Sequence, residues 1–248
     1  MRPWSHSCSL DWLKARREVL TATEAISLLP ENRKWDGASI MPNCAGLWGT
    51  KTSSEELDPM SLSWAARGHI LEPYALAQYR SISGDDIFWY DDLIITGNIG
   101  FSPDGLSCNI PLKPNEVRIE SNDKRFANNI DVTAYEVKCY AAKKHTQKIL
   151  ENKMKHEERY QVAWAMLCCL NITKAELIFF NPSAAIPIHH VSYTRFELDK
   201  EIKELSKVSE MYETTKMMLD AISKTTEPYD GPSEEEIWKE NQAFVIDL

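Results

Sequence analysis

The stretch "YEVKCY", residues 135–140, decides how the chain is read. Successive side chains of an extended strand alternate between its faces. Tyr135, Val137 and Cys139 therefore share one face, while Glu136, Lys138 and Tyr140 share the other. The first set suits a buried core. The second places a carboxylate and an ammonium roughly 6–7 Å apart along the strand. Interior charges are costly unless they are paired or bound to a metal. Two readings follow: an ion pair on the exposed face of an edge strand, or a site where a cation offsets the charges. "NEVRIE", residues 115–120, is an internal control, because Glu116 and Arg118 repeat the spacing with a side chain that stays protonated and cannot act as a base.

A chain of 248 residues is long enough for a substantial core, and its composition is that of an ordinary globular protein. No apolar run approaches the roughly 20 residues that cross a bilayer, and "MRPWSHSCSLDW" lacks a signal-peptide core, so no membrane association and a cytoplasmic location are expected. Cys8, Cys44, Cys108, Cys139, Cys168 and Cys169 show neither disulfide-framework spacing nor a CxxC pair, which reads as reduced thiols rather than a disulfide scaffold or an iron–sulfur cluster. The net charge of −9 sits mostly at one end, with 14 acidic and 7 basic side chains in residues 195–248. Beyond about 8 Å salt screens exposed charges, so a local basic groove elsewhere remains able to attract phosphates.

Residues 11–20 read as a short amphipathic helix, and Thr21 and Glu24 stand in capping-box relation, which starts a second helix reaching about Leu29. Residues 30–58 are rich in Pro, Gly, Asn and Ser and read as an irregular connection. A long helix follows with Asp58 as N-cap and Pro59 at its first position, and Pro73 is expected to kink or interrupt it. "DIFWY", "LIITGNIGFS", "VTAYEVKCY", "AELIFF" and "IPIHHVSY" read as strands, with a further one at "EVRIE". Residues 147–170 and 195–223 read as helices. His189 and His190 are adjacent in a strand, point to opposite faces and make a poor ligand pair. The pattern predicts an α/β (α+β) fold with a central mixed β-sheet flanked by helices.

"SPDGL", residues 102–106, supplies what the strand lacks. Asp104 stands in a turn at a strand end. If that strand neighbours 133–140, Asp104, Glu136 and Lys138 converge. Two carboxylates and a backbone carbonyl make a hard oxygen site suited to Mg²⁺ and to substrate phosphate. Lys138 would then orient or deprotonate a water, or stabilise charge on the phosphate.

The chain here resembles the phage-type exonucleases of the PD-(D/E)xK nuclease superfamily, the group of lambda-type exonucleases and YqaJ-like viral recombinases. The resemblance spans roughly residues 12–193 and rests on the order of "WLKARREVLTATEA", "LWGTK", "GHILEP", "SPDGL", "YEVKC" and "YQVAWAM". It implies a restriction-endonuclease-like core over residues 1–225, followed by an acidic C-terminal tail at 226–248. It makes Asp104 and Glu136 the metal carboxylates, the Val137 carbonyl a further ligand and Lys138 the catalytic lysine, with Mg²⁺ as cofactor and Mn²⁺ as substitute. Glu72 matches a carboxylate beside the metal site, and Gln161 a glutamine on an adjoining helix. Arg16, Thr23 and Ser102 match positions that hold the DNA 5′-phosphate. Taken alone these five are, in order, a helix-surface glutamate, a structural glutamine, a surface arginine, a first-turn residue and a turn serine. Two of them share a locus, since a helix N-terminus at Thr21–Glu24 would add a partial positive charge for a phosphate.

The implied activity is 5′-to-3′ digestion of one strand of duplex DNA, leaving 3′ single strands for recombination. The implied partners are double-stranded DNA ends, a single-strand annealing protein and two further copies of the chain in a ring-shaped homotrimer. The alternatives are a nuclease of the same fold acting on single strands or internally, and a non-catalytic DNA-binding assembly protein. Asp104 and Glu136 lie 32 residues apart, a wide separation for such motifs, and an extra hairpin or loop is expected between them.

Overall fold

The computed structural model describes residues 9–30, 37–53, 63–90, 92–113, 116–151 and 156–226, together with Gly231 and Glu236. Helix α1 (Leu10–Glu18) begins where the Ser9 hydroxyl accepts a hydrogen bond from the Trp12 amide at 3.2 Å. Helix α2 (Ala22–Ser27) follows, with the Glu24 carboxylate accepting from the Thr21 amide at 2.8 Å as the capping-box spacing predicts. The corner between them is docked by Leu20, whose amide donates to the Asn98 carbonyl and whose carbonyl accepts from the Gly100 amide.

Helix α3 (Gly37–Thr52) occupies most of the segment expected to be irregular. Its composition disfavours a helix, but Ile40 and Cys44 lie one turn apart and both are fully buried. Tertiary burial of that face outweighs the local propensity. Helix α4 (Ser63–Ser83) runs through Pro73 rather than stopping there. Burial of Ala75, Leu76 and Tyr79 against the sheet holds the half beyond the proline, against an intrinsic cost of about 3 kcal/mol. The expected cap at Asp58 and Pro59 lies outside the described residues, as does the acidic tail at 226–248 apart from Thr226, Gly231 and Glu236.

After α4 come β1 (Phe88–Trp89), β2 (Leu93–Thr96), β3 (Ile99–Phe101), β4 (Gly105–Leu106), β5 (Arg118–Glu120), the short helix α5 (Lys124–Ala127) and β6 (Val132–Lys138). The expected single strand "LIITGNIGFS" is a hairpin: Thr96 pairs with Ile99, and Gly97 takes φ 59° at the loop position that a type II′ turn reserves for glycine. Helices α6 (Ala142–Glu151) and α7 (His156–Cys168) replace the one helical region expected over 147–170, before β7 (Ile172–Phe180), β8 (Ile188–Thr194) and α8 (Asp199–Thr225).

The five-stranded mixed sheet has the order β1-β4-β6-β7-β8, and a three-stranded sheet has the order β3-β2-β5. Strands β6 and β7 run parallel, a pairing that needs a crossover, and α6 and α7 supply it. Their neighbours β4 and β8 are antiparallel to them. Rather than forming an extra hairpin or loop, residues 107–131 leave the large sheet, add β5 beside β2, and return through α5. One face of the large sheet, with Ala134, Ala175, Leu177 and Phe179, packs with α7 and α8 in the main core. The other face, with Tyr135, Val137, Ile178 and Phe180, packs with α4. His190 joins the α4 side at Tyr79 while His189 stacks on Phe179, so the two rings are on opposite faces as alternation requires. Among the described residues no helix is long and apolar enough to cross a membrane.

Candidate active site

Strand β4 is only two residues long and pairs Gly105 with Tyr135 and Leu106 with Ala134. Beyond that pair, the Asp104 side chain replaces backbone as the partner of β6: Asp104 Oδ2 accepts from the Val137 amide at 2.6 Å, while the Asp104 amide donates to the Tyr135 carbonyl at 3.2 Å. In a strand the N–H and C=O of one residue face the same edge, so the Val137 carbonyl is presented on Asp104's side. Gly105 is demanded by packing, because a Cβ there would lie 3.2–3.3 Å from Leu76, Ile87 and the Phe88 carbonyl. The "PDG" of the sequence is thus a carboxylate delivered by a strand too tightly packed for a side chain at its first residue.

Glu136 and Lys138 form an ion pair at 2.7 Å, each side chain about one-quarter exposed or less. Burial acts to discharge Lys138, but Glu136, Asp104 and Glu158 outweigh it and raise its pKa above the usual lysine value. Burial pushes the Asp104 carboxyl well above the usual carboxylate range, and the charges of Glu136 and Glu72 push it further, against the Val137 amide and Lys138. Glu72 reaches the same cleft from α4, with its Oε2 3.1 Å from His69 Nδ1. Three carboxylates and one histidine thus stand around a single opening, with Lys138 reaching it through Glu136.

The opposite wall comes from the α1–α2 corner. Arg16 lies over the Trp12 ring, 4.7 Å from its centroid, and burial lowers its pKa despite the raising influence of Glu24 and Glu136. The Arg16 guanidinium donates no hydrogen bond to another described residue. The Ser102 hydroxyl oxygen is shielded from solvent and likewise has no hydrogen-bond partner among the described residues. A half-buried guanidinium and a shielded hydroxyl, neither hydrogen-bonded through its side chain among the described residues, line the same cavity and are suited to an anion. The helix N-terminus expected to assist them contributes little, since α2 has only six residues and Glu24 already occupies the Thr21 amide and hydroxyl. Thr23 is exposed on the wall of the same opening.

All of Arg16, Thr23, Glu72, Ser102, Asp104, Glu136 and Gln161 line one cavity of about 350 Å³, within the range of small-ligand sites. Small side chains make room for it: Ala134 and Ala175 are paired across β6 and β7, and Ala165 faces them from α7. Lys138 does not line the cavity and meets it through Glu136. The hard oxygens of Asp104, Glu136 and Val137 are the donors available to a cation. Among the described residues no three His, Cys, Asp or Glu side chains close into a metal cage.

Two participants escape a reading of the sequence. His69 stands one helical turn before Glu72 within "GHILEP", and the i,i+3 spacing was the signal that could have found it. Lys51 of "LWGTK" is nearly buried; its ammonium pairs with Glu24 at 2.8 Å and donates to the carbonyls of Arg16, Arg17 and Val19. It fastens the corner that carries Arg16 and Thr23, and nothing local in the sequence marks that long-range role.

The family model of the YqaJ-like viral recombinase domain matches residues 11–175. Among solved structures, the chain is similar to LHK-Exo, an alkaline exonuclease from Laribacter hongkongensis. Its complex with dAMP superposes with a TM-score of 0.60 at 20% identity, covering 87% of this chain and 96% of that one. A second LHK-Exo structure gives 0.56 at 19%, covering 87% and 99%. None of the curated proteins compared with it matches this sequence. The likeness to LHK-Exo shows the restriction-endonuclease-like fold. With the family model covering most of the chain, the protein belongs to the YqaJ-like viral recombinase family.

Proposed function

We propose that the chain is a metal-dependent exonuclease that removes nucleotides from the 5′ end of one strand of duplex DNA, leaving 3′ single strands for recombination. The observation that carries this reading is the joining of two sites in one cavity, a carboxylate end at Asp104, Glu136 and Glu72 and an unsatisfied anion end at Arg16 and Ser102. An internal cutter or a passive DNA-binding protein has no need of an anion site at a fixed distance from acidic groups.

The donor set fits Mg²⁺, with Mn²⁺ as substitute, because hard oxygens from two carboxylates and a carbonyl leave positions for water and phosphate. Burial first, and then the charges of Glu136 and Glu72, raise the Asp104 pKa, and a divalent cation would offset that cost of ionisation. Bound there, the cation supplies Lewis acidity at a phosphate oxygen. Arg16, Ser102 and Thr23 hold the terminal 5′-phosphate and fix which bond lies over the carboxylates. Lys138, paired with Glu136 at 2.7 Å, orients or deprotonates the attacking water or donates to negative charge developing on the phosphate. Gln161 orients the attacking water or the phosphate from α7. The dAMP in the LHK-Exo complex is a mononucleotide, the product that stepwise removal from a phosphorylated end releases.

The test uses linear duplexes labelled separately at each 5′ and 3′ end, with Mg²⁺. The 5′ label is expected to appear first as a mononucleotide while the 3′ label stays on a shortening strand. Internal fragments, or first loss of the 3′ label, would overturn the polarity. The family likeness supports a homotrimer around DNA and a single-strand annealing protein as partner; a monomer in light scattering across working concentrations would remove the ring.

A further inference from the structure

A second charged cluster contributes no residue to the lining of the cavity. Lys148 of α6 and Glu158 of α7 are 2% and 3% exposed and form an ion pair at 2.6 Å. The other oxygen of the same carboxylate accepts a hydrogen bond from the Tyr140 hydroxyl at 2.7 Å. The Tyr140 ring carries the Lys144 ammonium 3.5 Å from its centroid, and the Tyr140 carbonyl accepts from the Asn181 amide at 2.8 Å. Such a cluster is a poor device for stability, since well-packed apolar side chains of similar volume do as well or better than a buried ion pair. Its position suggests another use.

Tyr140 follows Lys138 by two residues on the same side of the chain, just past the end of β6. Glu158 precedes Gln161 by three residues, one turn along the same face of α7. One carboxylate therefore ties the strand end that carries Lys138 to the helix that carries Gln161, with α6 as the third anchor. The charge of Glu158 also reaches Lys138 directly.

We propose that Glu158, braced by Lys148 and Tyr140, is a positioning residue that sets Lys138 and Gln161 relative to each other and so governs the rate of the cleavage step rather than DNA binding. The proposal rests on the nuclease reading above. A lost brace lets the two groups drift by a fraction of an ångström, and misplacement on the scale of 1 Å costs roughly 10²-fold in rate.

The experiment compares wild type, Glu158→Gln, Tyr140→Phe and the apolar double variant Lys148→Met/Glu158→Leu. Turnover and KM are measured on a 5′-phosphorylated duplex with Mg²⁺, DNA affinity with Ca²⁺ in its place, and Tm by thermal melting. Glu158→Gln is expected to slow turnover about 10- to 100-fold with KM and affinity within about twofold, and Tyr140→Phe to slow it less. The double variant is expected to hold or raise Tm while turnover falls as far, a split that a merely structural pair cannot produce. Turnover near wild type in the folded double variant, or in Glu158→Gln, would overturn the proposal; should the double variant not fold, Glu158→Gln and Tyr140→Phe decide it alone. A wild type that cleaves no DNA defeats the nuclease reading instead, which keeps the two failures apart.

Discussion

Glu116 and Arg118 at one edge of the small sheet have the spacing of Glu136 and Lys138 at the centre of the large one, and the two pairs behave in opposite ways. At the edge the partners part company: Glu116 takes Arg125 through two contacts at 2.7 and 2.9 Å, and Arg118 takes Glu18 at 2.5 Å. Hydrogen bonds from Arg125 hold the Glu116 carboxyl at a pKa of about 2. At the centre Glu136 and Lys138 hold each other where β7 and the Asp104 side chain flank the strand, and two more carboxylates, Asp104 and Glu72, stand at the same site. Spacing assigns a face. What stands on that face decides whether two charges cancel or whether an unbalanced site remains.

The comparison breaks first if both pairs prove equally dispensable. Asp104→Asn and Glu136→Gln are each expected to lower cleavage on the order of 10³-fold, the loss of several kcal/mol of electrostatic stabilisation, and Lys138→Met on the order of 10²-fold. Glu116→Gln and Arg118→Met are expected to leave the rate within about twofold in the same single-turnover assay, since surface ion pairs contribute little. Near-normal digestion by Lys138→Met would place the central pair in the same class as the edge pair.

A second, smaller effect sharpens the contrast between the two ends of the cavity. Arg16→Ala is expected to erase most of a preference for 5′-phosphorylated over 5′-hydroxyl duplex, about ten- to a hundred-fold for a charge-assisted contact of roughly 1.5–3 kcal/mol. Paired rates on the two substrates measure it, and equal wild-type rates would mean that no phosphate is held there.

The smallest effect concerns the edge pair alone. A carboxylate with a depressed folded-state pKa stabilises above its unfolded value and loses that contribution as the pH falls through the folded one. Glu116→Gln is therefore expected to lower Tm slightly at pH 7, with the difference from wild type fading as the pH drops from 4.5 towards about 2. A pH-independent difference in thermal melts would detach Glu116 from Arg125.

The strand carrying the site, its mixed sheet and the carboxylate that joins it were legible because alternation and turn chemistry are local. The order of the motifs added Arg16, Thr23, Ser102, Glu72 and Gln161, all of which line the cavity. What was not legible depended on distant partners. Helix α3 forms because Ile40 and Cys44 find a buried face, and α4 survives Pro73 because Ala75 and Leu76 do. Lys51 reads as an ordinary lysine until its three carbonyls arrive from a segment more than 30 residues away. The Asp104 carboxylate bonding to the Val137 amide is equally non-local, and strand pairing alone does not reveal it.

The register of β4 against β6 bears on how such chains vary by insertion and deletion. Gly105 faces Tyr135 across the ladder, so the two acidic residues beside them are neighbours whatever length of chain joins them. Residues 107–131 make their excursion to the small sheet and return to the same pairing. Loop-closure entropy grows only logarithmically with length, about 0.6 kcal/mol for each doubling. Gaining or losing residues there should cost the carboxylate geometry nothing, whereas shifting β6 by one residue would turn Glu136 and Lys138 to the face of α4. A search for relatives should therefore leave the gap between the two motifs free and hold fixed the pairing of the glycine after the aspartate with the tyrosine before the glutamate.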